Sequence, residues 1–345
     1  MWSPLKCIVV EYRALIMRIY FDHDKSRFVC EKLEPHIMLS ELRGFLLSSA
    51  EGETVTSLSV EASKKALEMA NVDPQDIDLL LLCTSTLEDL FGSAPQVQKE
   101  LGCSNALAFD LTTACSGFVL GLVTASCFIK APIFKSCDSH CQHLENCTFK
   151  LFVKTGLSLY MDHDDVVNYG SGCRWRAVGD HQDSLLGFNL QSDGGGQKWV
   201  QCLSSPLNTH CHRISFCGIE IKFPARASYA CLQMNGKEVF RFAVRAVPQV
   251  IEAALQEAGL RGTDSDWLLL HQANQRIIDS VSQRLEIPTS KVISNLCNYG
   301  NTSAASIPLA LDEAVRSGFV QPGHILATAG SGMGLTWGSA IVRWS

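Results

Sequence analysis

Residues 106–130 read ALAFDLTTACSGFVLGLVTASCFIK. The stretch opens with a short apolar run at 106–111. It continues into 112–130, which is rich in Gly, Ala, Val and Leu and apolar nearly all round. The run predicts a buried strand, and a helix apolar on every side must be covered by other layers. Upstream, 77–83 is a nearly continuous apolar run, the pattern of a strand covered on both faces of a parallel sheet. Between these strands Ala94-Pro95 opens a helical stretch reaching about Leu101. Before them, 57–70 repeats Leu58, Ala62, Ala66 and Ala70 every fourth residue, with Lys64, Lys65 and Glu68 on other faces. Asp73-Pro74 punctuates that helix.

The same alternation returns near the other end. Residues 239–258 are helical, with Val239, Phe242, Ala243, Val247, Val250, Ile251 and Ala254 on one broad face. Strand 267–270 follows, then helix 274–285, which Pro288 stops, and a short strand at 292–293. A helix at 303–316 and a strand at 325–328 precede the turn Gly330-Ser331-Gly332-Met333-Gly334, and 335–344 reads as the last strand. Strands alternating with helices in both halves predict α/β layers with mostly parallel sheets.

The chain has 345 residues and a formal net charge of -6, with 46% hydrophobic and 19% charged residues. That length, at about 150 residues per domain, predicts two domains or one two-lobed unit with a core large enough to need no staple. The mild acidity gives no support to nucleic-acid binding. No apolar run reaches about 18 residues, so no membrane span is implied; the longest, 118–129, is interrupted by Thr124 and Ser126. Residues 1–21 carry Lys6, Arg13 and Arg18 with Glu11 the only acid, weakly compatible with an organelle-targeting peptide poor in Ser. Fifteen cysteines cannot all pair within one chain, and their spacing in so long a chain reads as mostly free thiols in a reducing compartment.

The middle, 131–227, breaks the alternation. It holds Cys137, Cys141, Cys147, Cys173, Cys202, Cys211 and Cys217, and six of the ten histidines. Cys137-x3-Cys141-x5-Cys147 with His140 and His143 lacks CxxC pairs, so no metal centre is expected there.

Three residues at strand-to-helix junctions stand out. Cys115 follows the 106–111 strand and opens a helix, where the positive end of the macrodipole favours thiolate; the plain alternative is a core cysteine. His271 closes the 267–270 strand, on the side where α/β sheets bind ligands, although a loop histidine would also sit there. Asn301, in Asn298-Tyr-Gly-Asn301-Thr-Ser, either caps the next helix or donates to a developing oxyanion. The 330–334 turn is either a plain turn or a source of backbone N–H groups for the same oxyanion. A nucleophile with two neutral donors suits acyl transfer through a thioester. A Cys/His/Asn protease uses similar residue types, but no papain-like sequence surrounds Cys115.

Four stretches carry a more specific resemblance. They are Ala108-Phe-Asp-Leu-Thr-Thr-Ala-Cys115-Ser-Gly-Phe, Leu268-Leu-Leu-His271-Gln-Ala-Asn-Gln-Arg276-Ile, Asn298-Tyr-Gly-Asn301-Thr-Ser-Ala-Ala-Ser-Ile-Pro and Gly334-Leu-Thr-Trp-Gly-Ser-Ala. In this order they resemble β-ketoacyl-acyl carrier protein synthase III. Cys83-Thr-Ser-Thr-Leu-Glu-Asp-Leu-Phe91-Gly-Ser-Ala points to its plant plastid and cyanobacterial branch. The resemblance covers about 47–130 and 228–344. Residues 1–46 lack the family's first strand and its Trp/Arg segment near the CoA adenine, and 131–182 is atypical.

The resemblance implies a thiolase fold of two pseudo-symmetric βα halves in layered sheets. The halves would span 47–190 and 191–345 after a divergent 1–46. It implies that Cys115 takes acetyl from acetyl-CoA, and that His271 and Asn301 stabilise the enolate formed when malonyl-acyl carrier protein loses CO2. Acetoacetyl-acyl carrier protein would result, initiating fatty-acid synthesis. Backbone N–H groups of Cys115 and Met333 match the family's oxyanion hole. Arg276 matches a carrier-protein contact, Asn274 a polar position beside the histidine, and Phe91 a residue reaching the partner subunit's acyl pocket. A homodimer in the plastid stroma is implied, without metal or redox cofactor. Two alternatives stand beside this reading. One is an inactive or misfolded relative arising from an altered transcript or gene model. The other is a condensing enzyme of the type III polyketide synthase kind.

Overall fold

The computed structural model describes residues 54–70, 72–85, 92–130, 185–199 and 234–344, with the backbone of strand segments inside 7–48, 151–175, 200–204 and 212–233. Phe91, the Cys137-x3-Cys141-x5-Cys147 stretch and most of 1–46 and 131–182 lie outside the described residues.

Two five-stranded sheets form the frame. The first contains β1 (Cys7–Val9), β2 (Leu79–Thr84), β3 (Leu107–Leu111), β4 (Leu151–Gly156) and β5 (Ser171–Trp175), in the order β1-β5-β4-β2-β3. The second contains β6 (Leu185–Ser192), β7 (Trp267–Leu270), β8 (Val292–Ile293), β9 (Ile325–Gly332) and β10 (Thr336–Arg343), in the order β6-β10-β9-β7-β8. In the first sheet β2 runs parallel to β3 and β4, and β5 runs antiparallel to β4 and β1. In the second β7 runs parallel to β8 and β9, and β10 runs antiparallel to β9 and β6. Both sheets thus repeat one order and one set of senses. The expectation of mostly parallel sheets is corrected: half of the pairings are antiparallel. In the second sheet the cause is local, because the short turn after β9 leaves room only for a hairpin, and hairpins are antiparallel.

The helices are α1 (Val55–Ala70), α2 (Ala94–Leu101), α3 (Gly117–Lys130), α4 (Gly236–Glu257), α5 (Gln275–Arg284), α6 (Leu296–Tyr299) and α7 (Ser306–Arg316). Alternation along the strands decides where they pack. Leu79, Leu81 and Cys83 of β2 face Phe118 and Leu122 of α3 and Ile307 and Leu311 of α7. Leu80 and Leu82 face the other way, onto Ala66 and Leu67 of α1 and Val97 and Leu101 of α2. In the second sheet Leu269 joins the central cluster, while Leu268 and Leu270 pack on Val247 and Ile251 of α4 and Ile278 and Val281 of α5. Strands covered on both faces need no polar side, which is why they read as continuous apolar runs. The result is five layers, with α3 and α7 buried between the sheets. No helix among the described residues is long and apolar enough to cross a membrane.

Two details depart from the sequence reading. The strand read as buried at 106–111 lies at the end of its sheet, and Leu107 is 46% exposed. The helix expected from 112 begins at Gly117, after a 3₁₀ turn at Ala114–Ser116. Ala114 has φ +45, a left-handed conformation that interrupts a helix.

Candidate active site

Cys115 lies in that turn, where the chain passes from β3 into α3, and it is 7% exposed. The strained Ala114 bends the chain directly before the thiol, as backbone strain often does at reactive groups. β9 lies against the same turn. A Cβ on Gly330 would meet Cys115 O at 3.1 Å, and one on Gly332 would overlap Thr113 O and sit 2.8 Å from Ser116 Oγ. The stretch read as a 330–334 turn is therefore corrected. Gly330 and Gly332 are strand residues whose missing side chains admit the chain around Cys115, from Thr113 to Ser116, and the turn itself comes at 333–335. Met333 follows directly, so its backbone enters the turn beside the thiol-bearing segment. Gly332→Ala should destabilise the fold by about 1–3 kcal/mol, since the obstacle is backbone, and should slow modification of Cys115. Thermal unfolding with thiol-labelling rates checks this.

His271 closes β7, and its N–H continues the ladder to Ala329 O at 2.9 Å. Its Nδ1 lies 2.7 Å from Ser306 Oγ, at the first residue of α7. Ser306 Oγ also accepts the Gln272 N–H at 3.1 Å and lies 2.7 Å from Ser303 O, to which it donates. Asn301 follows Gly300, whose φ of +65 and ψ of -154 suit glycine. Asn301 Oδ1 accepts the Ser303 N–H at 2.9 Å, which leaves the Nδ2 hydrogens as donors. Ser303 Oγ donates to Cys115 Sγ at 3.2 Å. Ser303 is therefore the hub. Its N–H holds Asn301, its carbonyl reaches His271 through Ser306, and its hydroxyl touches the thiol. The capping reading of Asn301 is what the contact shows, and the Nδ2 hydrogens are left over for the other.

Burial outweighs the helix terminus at Cys115. Desolvation pushes its pKa above the ordinary thiol value, and the Ser303 hydroxyl partly offsets this by favouring thiolate. The macrodipole expectation is corrected on this point: a buried anion loses more hydration than one helix end returns. Because the reactive form is the thiolate, acylation should still climb with pH around pH 9, the ordinary thiol value. Ser303→Ala should move that climb to higher pH, which iodoacetamide rates across pH will measure.

His271 is pushed down to about 4 by burial, against a smaller opposing pull from the Ser303 backbone. Its imidazole is therefore neutral at neutral pH. Below the ordinary value of 6.5 the unfolded chain takes up a proton that the folded chain refuses, so this group costs stability as pH falls from 6.5 through about 4.

The other sequence candidates are more peripheral. Asn274 caps α5, accepting the Arg276 N–H at 2.9 Å. Arg276 is exposed on the first turn, its guanidinium 5.1 Å from the Phe240 ring centroid. Phe91 lies outside the described residues. Ser303, Ser306 and Gln272 were not singled out by the sequence reading. Ser303 and Ser306 are three apart at a helix start, so they share a face. That spacing was the one available signal. Among the described residues Cys83, Cys103, Cys115, Cys127 and Cys297 are free thiols. No three His, Cys, Asp or Glu side chains among the described residues gather as a metal site.

Two sheets of one repeated design, enclosing a shared pair of helices, define a thiolase-type α/β fold. Comparison with known proteins specifies it further. The family model described as 3-oxoacyl-[acyl-carrier-protein (ACP)] synthase III C terminal matches residues 255–344. The chain is 54% identical over 300 residues to the chloroplastic β-ketoacyl-[acyl-carrier-protein] synthase III B of Cuphea wrightii, covering 85% of this chain and 71% of that protein. It is 48% identical over 296 residues to the β-ketoacyl-[acyl-carrier-protein] synthase III of Microcystis aeruginosa, covering 84% and 83%. The crystal structure of 3-oxoacyl-[acyl-carrier-protein] synthase III from Aquifex aeolicus superposes with a TM-score of 0.68 at 29% identity, over 87% of each chain. The chain belongs to the β-ketoacyl-acyl carrier protein synthase III family.

Proposed function

We propose that this chain joins an acetyl group from acetyl-CoA to malonyl-acyl carrier protein in the condensation that initiates fatty-acid synthesis. In the first half, Cys115 Sγ attacks the acetyl carbonyl, the C–S bond to CoA breaks, and CoA leaves as the thiol with the cysteine proton. Backbone N–H groups of Cys115 and Met333 receive the transient oxyanion. In the second half, malonyl-acyl carrier protein loses CO2, and the electron pair of the broken C–C bond enters a thioester enolate. His271 and Asn301 Nδ2 donate to the enolate oxygen. The enolate carbon attacks the acetyl carbonyl, the Cys115 C–S bond breaks, and acetoacetyl-acyl carrier protein leaves. The thiolate then recovers a proton from solvent.

The observation that carries this reading is the Ser303 hub, through which one residue links the thiol, the carboxamide and the imidazole. Neutral donors fit an enolate better than cations would here, since buried charge is costly. His271 donates through Nε2 when Ser306 turns its single hydrogen from Ser303 O to Nδ1, since the hydroxyl can serve only one of the two at a time. Ser306 Oγ then still accepts from Gln272. The same reading assigns Arg276 and Asn274 as carrier-protein and substrate contacts and Phe91 to the partner subunit's pocket, on the family resemblance alone.

The test is extender choice. With acetyl-CoA as primer, product should form from malonyl-acyl carrier protein and not from malonyl-CoA. The reverse preference would favour the polyketide-type reading, and product from neither would favour an inactive relative. The reading includes a chloroplast location, supported by the chloroplastic designation of the Cuphea relative.

A homodimer belongs to the same reading. Among the described residues β3 ends its sheet with one neighbour, β2, and an exposed Leu107, so a second copy would extend the sheet across this edge. Sedimentation at micromolar concentration should give twice the chain mass. A monomer there would contradict it. The division into two halves near residue 190 is likewise our proposal; β6, which starts at Leu185, pairs with β10 of the second sheet.

A further inference from the structure

The loop that carries Asn301 is held by a group the chemistry above does not use. Between β8 and α7 the chain makes the single turn α6, then swings through Gly300 to Asn301. A four-residue helix has almost no stability of its own, because its end groups outnumber its internal hydrogen bonds. Something else must fix it.

Glu313, two turns into α7, supplies both clamps. Its Oε1 accepts the Tyr299 hydroxyl at 2.6 Å and its Oε2 accepts Asn295 Nδ2 at 2.9 Å. Asn295 is the N-cap of α6 and Tyr299 its last residue, so one carboxylate grips both ends of the turn. The near end is also tied to the His271 strand. Gln272, wholly buried, accepts the Asn295 N–H at 3.2 Å through Oε1 and donates to Leu270 O at 2.7 Å. Hydrogen bonds to a carboxylate are shorter and stronger than neutral ones, so the carboxylate is the strong member of this set.

We propose that Glu313 is a positioning residue that fixes Asn301, and with it the enolate-stabilising amide, by clamping Asn295 and Tyr299. The inference rests on the role given to Asn301 above. Asn301 is held on its far side by the Ser303 N–H and follows the clamped Tyr299 by one residue, Gly300, which resists a shift little, so the amide depends on where the clamp leaves Tyr299. The clamp sits on α7, the helix whose first residue Ser306 contacts His271. Imidazole and amide are thus referred to one rigid element.

The experiment uses the full-length protein in five variants: Glu313→Ala, Glu313→Gln, Tyr299→Phe, Asn301→Ala and the double Glu313→Ala with Asn301→Ala. Two steps are read separately: acetyl transfer to Cys115 from labelled acetyl-CoA, and condensation with malonyl-acyl carrier protein. Glu313→Ala should lower condensation kcat by about 10- to 100-fold, the scale of a misplacement near 1 Å, while acetyl transfer changes less than about threefold. Glu313→Gln keeps one acceptor oxygen and should recover much of the loss. Tyr299→Phe removes one clamp, leaves the carboxylate, and should give a smaller loss in the same step. In the Asn301→Ala background the Glu313→Ala change should cost little more, because the amide it positions is gone.

Parallel loss of both steps with a lowered Tm in Glu313→Ala, repeated in Glu313→Gln and Tyr299→Phe, would overturn the proposal as a structural role only. Undiminished condensation in Glu313→Ala would overturn it while leaving the reading of Asn301 intact. If Asn301→Ala itself condenses normally, that reading fails, and the positioning role falls with it. If Glu313→Ala alone does not fold, Glu313→Gln and Tyr299→Phe decide.

Discussion

Cys115→Ala will not take up acetyl from acetyl-CoA, and its condensation rate should fall by about 10³-fold or more. The neighbouring hydroxyls offer no substitute. Ser116 gives its hydrogen to Thr113 O at 2.7 Å, and Ser303 Oγ has the thiol itself as its contact. An alcohol is far less acidic than a thiol, and the neutral His271 is turned toward Ser306 rather than toward either hydroxyl. The variant should fold, because alanine replaces a small side chain without adding bulk. Decarboxylation of malonyl-acyl carrier protein should survive, since that step relies on His271 and Asn301. Labelled acetyl-CoA and CO2 release measured on one preparation check both halves. Acetyl uptake by Cys115→Ala would remove the thiol from the account.

The second large effect falls on the other half of the reaction. Asn301→Ala and His271→Ala should each lower condensation by about 10²- to 10³-fold, the range for losing one oxyanion donor. Acetyl transfer should stay within about threefold of the parent, because its oxyanion is received by backbone N–H groups. The double variant should lose less than the product of the single losses, as both donors serve one oxygen. A parallel drop in acetyl transfer would mean that the two side chains act on the thiol instead. His271→Ala carries a further consequence for stability. It removes the group whose refused proton costs stability as pH falls from 6.5 through about 4. Acid unfolding of the variant should therefore begin at lower pH, unless the vacated space outweighs this gain.

Much of the frame was legible because its elements are bounded by local punctuation. Strands 267–270 and 292–293 were read to the residue, and the helix opening at Ala94 nearly so, since Pro, Gly or polar turns stand at their ends. The apolar character of 112–130 predicted a helix inside the molecule, and α3 is buried between the sheets. The strand at 325–328 was cut short because Gly330 and Gly332 look like a turn in sequence. Only the turn around Cys115, from Thr113 to Ser116, lying against them explains glycine inside a strand. The antiparallel strands escaped for a related reason, because alternation of strand and helix says nothing about a hairpin within the sheet.

The site was legible in its parts and not in its wiring. Cys115, His271 and Asn301 each announce themselves at a strand-to-helix junction. The residue joining them does not, since Ser303 lies 188 positions from the thiol it touches. Glu313 looks like any helix-surface acid, and its clamp on Asn295 depends on a fold spanning 18 residues. The sign of the Cys115 shift was also hidden. A helix terminus can be read from sequence, whereas burial is the sum of every layer above it.

The central claim is that the chain carries its acyl group on Cys115 between two half-reactions. Mass spectrometry of the peptide holding Cys115 tests it most directly, before and after malonyl-acyl carrier protein is added. The account predicts one acetyl group on that peptide after acetyl-CoA, which disappears as acetoacetyl-acyl carrier protein forms. An unmodified Cys115 peptide in a protein that unfolds cooperatively, or an acetyl group that remains when the carrier substrate is added, would contradict it.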